Sequence, residues 1–309
     1  MATELILAAL DVSAVRGRRI ASSNVLFDYW ELTKPEINFL IAITAAAGFW
    51  IGSPAAPPHF PWMPFIHTLL GTVFVASGAG TLNQLIELPY DAQMRRTARR
   101  PLASGRIVPP HALWFGVLLS IFGVVYLSIS TNAFASLLAT LTLLSYLFLY
   151  TPLKQITPLC TLVGAVPGAA PPLIGWTAAC GHLDAAAWVL FAIVFLWQFP
   201  HFMSIAWMYR EDYARAGYLV LPTSEIKNRF VSWQCLLPAL CLFSVATVPV
   251  ICGQSGIVYL AGALILGGIF LYCSARFAFR RSAASARQLL FASILYLPVL
   301  LALLAWDKK

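Results

Sequence analysis

Three oxygen-bearing side chains stand four residues apart in the stretch Asn83-Gln84-Leu85-Ile86-Glu87-Leu88-Pro89-Tyr90-Asp91. On a helix, each step of four advances only about 40° around the axis, so Asn83, Glu87 and Asp91 share one face. Pro89 removes one helical hydrogen bond, and the alignment of Asp91 depends on whether the helix kinks or ends there. Met94-Arg95-Arg96-Thr97-Ala98-Arg99-Arg100-Pro101 follows at once and places arginines within short reach of the carboxylates. A second cluster closes a later apolar run: Trp197-Gln198-Phe199-Pro200-His201, then Trp207-Met208-Tyr209-Arg210-Glu211-Asp212-Tyr213-Ala214-Arg215-Ala216-Gly217. The two clusters look like diverged copies of one device.

Carboxylates beside arginines can simply neutralise each other at a solvated surface. Asn83 and Glu87, however, fall before their apolar run has ended, where polar groups are expensive and functional by default. Acids in this setting suit magnesium, which takes one or two carboxylates together with substrate phosphate oxygens and waters. A diphosphate on an apolar tail would be held between such a metal and the arginines, with the tail running between helices. Metal and arginines would stabilise a leaving diphosphate, and an aromatic-lined apolar cavity would shield an allylic cation from water. His201 lies about three helical turns before Asp212, inside an apolar run, and is the deepest ionisable residue of the chain. It reads either as a hydrogen-bonded core histidine or as a contact to an acceptor substrate or proton-handling group. His67 reads as structural.

These residues belong to a chain of 309 residues that is 60% apolar and 10% charged, against roughly half and about a quarter in an ordinary soluble domain. A soluble globular protein is excluded. The charges are clustered, and between them lie nine apolar windows, 36–53, 63–88, 112–130, 133–150, 158–178, 185–209, 231–252, 255–275 and 287–306, each suited to crossing a bilayer. The expected fold is an all-α polytopic membrane protein of about nine transmembrane helices. With the N-terminus inside, 18 of the 20 basic residues fall on inside segments and only Lys308 and Lys309 outside. The N-terminus is therefore read as cytoplasmic, or matrix-facing, with both acidic clusters on that side. The net charge of +8 is a topological signal and not a nucleic-acid surface, which would be hydrophilic.

The six cysteines, Cys160, Cys180, Cys235, Cys241, Cys252 and Cys273, form no CxxC pair and no zinc spacing with histidine, and read as buried small hydrophobes. Near the N-terminus the apolar stretch Leu5 to Leu10 precedes Arg16, Arg18 and Arg19, the reverse of a secretory signal, while Glu4 and Asp11 argue against a transit peptide. Residues 1–30 are read as a loosely ordered cytoplasmic tail and 31–309 as one membrane domain.

At this point the chain resembles the UbiA-type intramembrane prenyltransferases, and within them the branch that farnesylates heme. The resemblance rests on Leu32-Thr33-Lys34-Pro35, on Asn83 to Asp91 with Met94, Arg96, Thr97, Arg100, Pro101 and Leu102, and on Tyr150-Thr151-Pro152-Leu153-Lys154. It also rests on Gly164-Ala165-Val166-Pro167-Gly168-Ala169-Ala170-Pro171-Pro172-Leu173-Ile174-Gly175-Trp176, on Pro200-His201-Phe202, and on Asp212-Tyr213 with Ala216-Gly217. It is dense over the first six windows and only topological beyond. The resemblance implies nine helices around a central cavity and magnesium-dependent transfer from farnesyl diphosphate to a vinyl group of heme B. It implies a first metal and diphosphate site at Asn83, Glu87 and Asp91, and a second at Asp212 with Glu211. Lys34, Arg96, Arg100 and Lys154 would neutralise diphosphate oxygens, with Arg210 and Tyr213 completing the substrate-binding set, and His201 would face the heme.

A bacterial inner membrane, or alternatively a mitochondrial one, is implied as the location, with a heme A synthase as downstream partner. Glu87 stands where many relatives have Asp, Cys160 where Asn is expected and Leu219 where Pro is common; the Cys160 change weakens any diphosphate role at that position. Two other readings stay open: prenyl transfer to an aromatic quinone precursor, and a transporter or heme carrier. Transporters keep ionisable groups near the bilayer midplane, whereas here only His201 is deep.

Overall fold

Inside hydrocarbon no water can satisfy a backbone amide, so each apolar run must close its own hydrogen bonds as a helix. The computed structural model describes residues 24–54, 59–221 and 226–309, apart from the side chains of 226–228. Arg16, Arg18, Arg19 and the rest of 1–23, together with the side chain of Lys227, lie outside the described residues. Among the described residues nine helices are long and apolar enough to cross a membrane: Pro35–Gly52, Trp62–Ile86, Pro109–Ser130, Ala133–Leu153, Cys160–Cys180, Ala185–Met208, Arg229–Ile251, Ile257–Arg280 and Ala283–Trp306. They are called the first to ninth spans.

Capping chemistry moves several ends away from the hydropathy windows. Pro109 and Pro110 open the third span early, because their missing N–H groups fall in the first turn, where no helical partner exists. The eighth span runs on to Arg280, where Arg281 turns left-handed, and Ser282 and Ser285 cap each other reciprocally to start the ninth. The fifth span is two helices, Cys160–Ala169 and Pro171–Cys180. The paired prolines at 171 and 172 supply no N–H to carry the first helix through.

The first span touches the second, fifth and ninth and so joins two halves. Spans two to four pack around Val75, Ile86, Leu127, Ala139 and Leu143. Spans five to nine, with the inner face of the first, enclose a larger core that includes Ile193, Phe270, Phe277 and Tyr296. The first and fifth spans approach each other closely: a Cβ on Gly48 would strike the Pro172 carbonyl, and one on Gly175 the Ala45 carbonyl. Lipid gives no hydrophobic push between helices, so this close contact of small residues is what holds them. At the far end, Lys308 donates to the carbonyls of Trp50 (2.8 Å) and Ser53 (2.6 Å), and Trp50 Nε1 donates to Ala305 O (3.2 Å), tying the C-terminus to the first span.

Two expectations change. The stretch read as tail ends in a helix, Val25–Leu32, capped by the Asn24 side chain, which accepts the Phe27 N–H. Asp28 is buried and pairs with Arg106, which also holds Glu31 at 3.0 Å and donates to the Arg99 carbonyl at 2.7 Å. Asp28 and Glu31 interrupt the apolar pattern, so the helix is invisible until Arg106, far along the chain, neutralises them. Cys160 and Cys235 are buried, but Cys241 and Cys252 are exposed. The inside-outside rule for an apolar side chain fails where the outer face meets hydrocarbon. His67 is structural as expected, its ring sharing a hydrogen bond with Tyr126 at 2.6 Å.

Replacing Gly175 with leucine should force the first and fifth spans apart and lower the melting temperature of the detergent-solubilised protein, at a cost of about 1–3 kcal/mol or more. Gly268→Ala, where an added methyl meets open space, should leave the melt unchanged.

Candidate active site

The second span ends at Ile86, and a one-turn helix, Leu88–Asp91, resumes at once. Pro89 causes the break by lacking an N–H, yet the register survives: Glu87 N donates to Asn83 O (2.9 Å) and Asp91 N to Glu87 O (2.8 Å). Asn83, Glu87 and Asp91 therefore stay linked by successive four-residue bonds, and all three are buried.

Two carboxylates out of water are tolerable only if paired. Lys154 Nζ lies 2.6 Å from Glu87 Oε1, and Arg100 Nη1 lies 2.7 Å from Asp91 Oδ2. Lys34 Nζ donates to Asn83 Oδ1 at 2.6 Å, and Asn83 Nδ2 donates to Thr151 Oγ1 at 3.1 Å. Lys34 holds a left-handed backbone (φ 55°) just before Pro35, a costly conformation for a residue with a Cβ. Glycine at position 80 leaves room for it, since a Cβ there would press on the Thr33 carbonyl and the Lys34 side chain.

Lys154 comes from the end of the fourth span, where the helix widens into a π turn at Tyr146–Tyr150. Pro152 follows immediately, and both the N–H and the hydroxyl of Thr151 donate to the Tyr146 carbonyl. Such turns recur at functional sites. Here the turn brings Thr151 to Asn83 and places the Tyr150 ring 4.6 Å from Lys154 Nζ.

The second cluster reaches the same end through the loop after the second span. Asp212 is buried; its Oδ2 accepts the Arg96 N–H (3.3 Å) and its Oδ1 the Arg215 guanidinium (3.1 Å). The Arg96 guanidinium lies over the Tyr209 ring (4.8 Å) and donates to the Tyr213 hydroxyl (3.4 Å). The loop 95–100 thus links Asp91, through Arg100, to Asp212, through Arg96. Leu219 N donates to Lys154 O at 2.8 Å and closes the loops on each other.

Not every predicted residue joins this network. Glu211 is exposed and faces Arg210 at 3.7 Å, while Arg210 lies over Trp207. Cys160 is buried, its thiol directed at the Pro158 carbonyl. His201 turns toward the ninth span, with Nδ1 2.7 Å from Ser293 Oγ and its ring stacked on Trp197 at 4.7 Å. Ser293 Oγ also stands 2.6 Å from the Leu290 carbonyl, a contact that would be repulsive without the serine hydrogen between them. With the serine hydrogen directed at the Leu290 carbonyl, the Ser293 oxygen accepts from Nδ1.

The charges explain one another. Burial raises the Glu87 carboxyl, but Lys154 and Lys34 outweigh it and hold it below the ordinary carboxylate range. Burial lifts Asp91 above its usual value, with Arg100 offsetting only part and Glu87 adding to the rise. Burial opposes the Lys154 ammonium, yet Glu87 keeps it well above normal. Lys34, bonded to a neutral amide, is lowered by burial and by Arg100 to about 7. Lys34, Lys154, Arg96, Arg100 and Arg215 outnumber Glu87, Asp91 and Asp212, so the cluster is matched to an anion. Among the described residues no three His, Cys, Asp or Glu side chains group tightly enough to hold a metal alone. A hard cation with one or two carboxylates and ligand oxygens still fits, because Asp91 Oδ1 is a buried oxygen without a partner among the described residues.

Thr151, Arg215, Tyr150 and Tyr209 join the site without being marked as site residues by the sequence, whereas Tyr213 is one of the expected residues that the structure brings in. The signal available for Thr151 was the Thr-Pro pair ending an aromatic run, where a missing N–H forces the helix to widen.

The UbiA prenyltransferase family model matches residues 41–295. A protein named protoheme IX farnesyltransferase from Solibacter usitatus (strain Ellin6076) is 48% identical over 290 residues, covering 91% of this chain and 98% of its own. In fold, the chain is similar to a structure of a digeranylgeranylglyceryl phosphate synthase (TM-score 0.72, 20% identity, 91% of this chain and 98% of that one). It is also similar to a UbiA homolog from Archaeoglobus fulgidus bound to GPP and Mg2+ (TM-score 0.58, 14% identity, 90% and 99%).

Lys154→Met should leave Glu87 buried and uncompensated, at a cost of about 3–5 kcal/mol. Denaturation in detergent should show this loss and show much of it recovered when Glu87→Gln is added; a double variant no more stable than the single one would contradict the pairing.

Proposed function

This chain belongs to the UbiA prenyltransferase family, and we propose that it transfers the farnesyl group of farnesyl diphosphate to the vinyl group of protoheme IX with addition of water, giving heme O and diphosphate. The carrying observation is the meeting of Asn83, Glu87, Asp91 and Asp212 with an excess of lysine and arginine at one end of an apolar bundle. The heme acceptor is supported by the name of the Solibacter relative, which aligns over nearly the whole of both chains. The donor class is supported by the Archaeoglobus homolog bound to GPP and Mg2+.

Lys34, Lys154, Arg96 and Arg100 take the charge of the diphosphate, with Arg210 and Tyr213 at the edge of the site. Lys154 and Arg100 then exchange a carboxylate partner for a phosphate one, a change that frees Glu87 and Asp91 as oxygen donors. Glu87 and Asp91 on one side, and Asp212 on the other, would hold magnesium, which when bound supplies Lewis-acid neutralisation of the leaving group; Glu211, exposed and turned to Arg210, does not join them. The donor's carbon–oxygen bond breaks with its electron pair going to the diphosphate. The heme vinyl, electron-rich through the porphyrin, forms the new carbon–carbon bond to the allylic cation. Water captures the cation left beside the ring and releases a proton. His201 faces the acceptor in this reading. The membrane proposed is the bacterial inner membrane, with a heme A synthase as the downstream partner.

Protein in lipid, supplied with protoheme and farnesyl diphosphate, should give the hydroxyethylfarnesyl adduct by mass spectrometry, and chelating magnesium should abolish it. Donor consumption only when quinone precursors replace heme would overturn the acceptor. Asp91→Ala and Asp212→Ala should each abolish turnover in protein that still inserts; near-normal activity in either would sink the metal assignment. His201→Ala should impair heme use more than diphosphate binding, and unchanged heme kinetics would return it to a packing role.

A further inference from the structure

We propose that the Tyr218 hydroxyl is a substrate-binding group of this site, donating a hydrogen bond to a phosphoryl oxygen of the prenyl diphosphate. The inference rests on the function proposed above and adds a residue to it.

Tyr218 reaches the site through the way the helix Arg210–Arg215 ends. Ala216 caps it, Gly217 turns left-handed (φ 72°), and two bonds fold the chain back: Gly217 N to Ala214 O (3.2 Å) and Tyr218 N to Tyr213 O (2.9 Å). This is the paired closure of a Schellman motif, and its usual side-chain contact is present as the Tyr213 and Tyr218 rings 6.0 Å apart. Glycine at 217 permits the left-handed turn without the clash that a Cβ would bring. The next residue, Leu219, is fixed by its bond to the Lys154 carbonyl. The Tyr218 ring is buried against Met94 and lies 5.3 Å from the Tyr90 ring. Backbone and ring are thus held from both sides.

The hydroxyl at the end of this fixed ring is buried and has no hydrogen-bond partner among the described residues. A buried hydroxyl gives up its water bonds, so leaving it unmatched is a standing cost. The ionisable groups that act on it are Glu87, Lys154, Asp91 and Tyr213, all of the same site. Burial first, and then the Glu87 charge, hold the phenol above its ordinary range, so it is a donor and not an anion. The nearby carboxylates are engaged by Lys154 and Arg100. Tyr218 OH and Asp91 Oδ1 are therefore an unmatched donor and an unmatched acceptor in one cluster. A diphosphate with its cation supplies the complement of both: oxygens for the donor and positive charge for the acceptor. The neighbouring Tyr90 hydroxyl, by contrast, is satisfied by Gln155 Oε1 at 2.9 Å.

The test compares Tyr218→Phe and Tyr90→Phe with the unaltered full chain in detergent, using calorimetric binding of magnesium diphosphate and of farnesyl diphosphate, heme kinetics and thermal melts. Tyr218→Phe should weaken both diphosphate ligands by about tenfold or more, as expected for a hydrogen bond to a charged group. The KM for heme should not change, and the melting temperature should hold or rise because the unmatched hydroxyl is gone. Tyr90→Phe should bind both ligands normally. Unchanged diphosphate binding by Tyr218→Phe, with turnover intact, would overturn the inference and leave the proposed function standing. An equal loss in Tyr90→Phe would assign the effect to ring packing and also overturn it. If the unaltered protein binds no diphosphate, both readings fall together.

Discussion

Two buried carboxylates at the edge of a membrane govern the arrangement of everything near them. Glu87 and Asp91 would be ruinous to bury alone, and neither has a cation within its own helical turn. Their partners come from different elements: Lys154 from the end of the fourth span and Arg100 from the loop after the second. Folding the acids into place therefore draws three elements together, and the same contacts that neutralise them build a binding surface for an anion. In the proposed function a diphosphate enters by exchanging partners with Lys154 and Arg100, so stability and binding draw on one set of charges.

The side chains are aimed by interruptions in the helices. Pro89 ends the second span without losing register, so Asp91 stays in line with Glu87. Pro152 accompanies the π turn that brings Thr151 to Asn83. Pro35 follows a left-handed Lys34 whose ammonium thereby reaches back to the second span. A bundle of uninterrupted helices would present only whole-turn faces to one another, and these irregularities supply the finer placement. The far end of the molecule carries a different kind of order, with Lys308 and Trp50 clasping the first and ninth spans through backbone carbonyls.

His201 is set apart from the charged cluster and belongs to a neutral station between the sixth and ninth spans. Ser293 fixes its tautomer and Trp197 its ring plane. The separation suits a reaction with two dissimilar substrates, one recognised by charge at the membrane edge and the other within the apolar bundle.

The sequence by itself determined the number of spans, the clustering of basic residues on one side and the common face of Asn83, Glu87 and Asp91, because hydropathy and helical periodicity are local properties of the chain. It also pointed to Lys34, Arg96, Arg100 and Lys154 as cations for that face. The tertiary structure decided which cation meets which acid, that Arg106 turns Val25–Leu32 into an ordered helix, and that Tyr218 is carried into the site with its hydroxyl unmatched. It also left Glu211 facing outward beside Asp212, two neighbours that the sequence could not tell apart. These outcomes depend on residues tens of positions apart competing for the same buried space, and a pairing between distant elements leaves no period in the sequence to read.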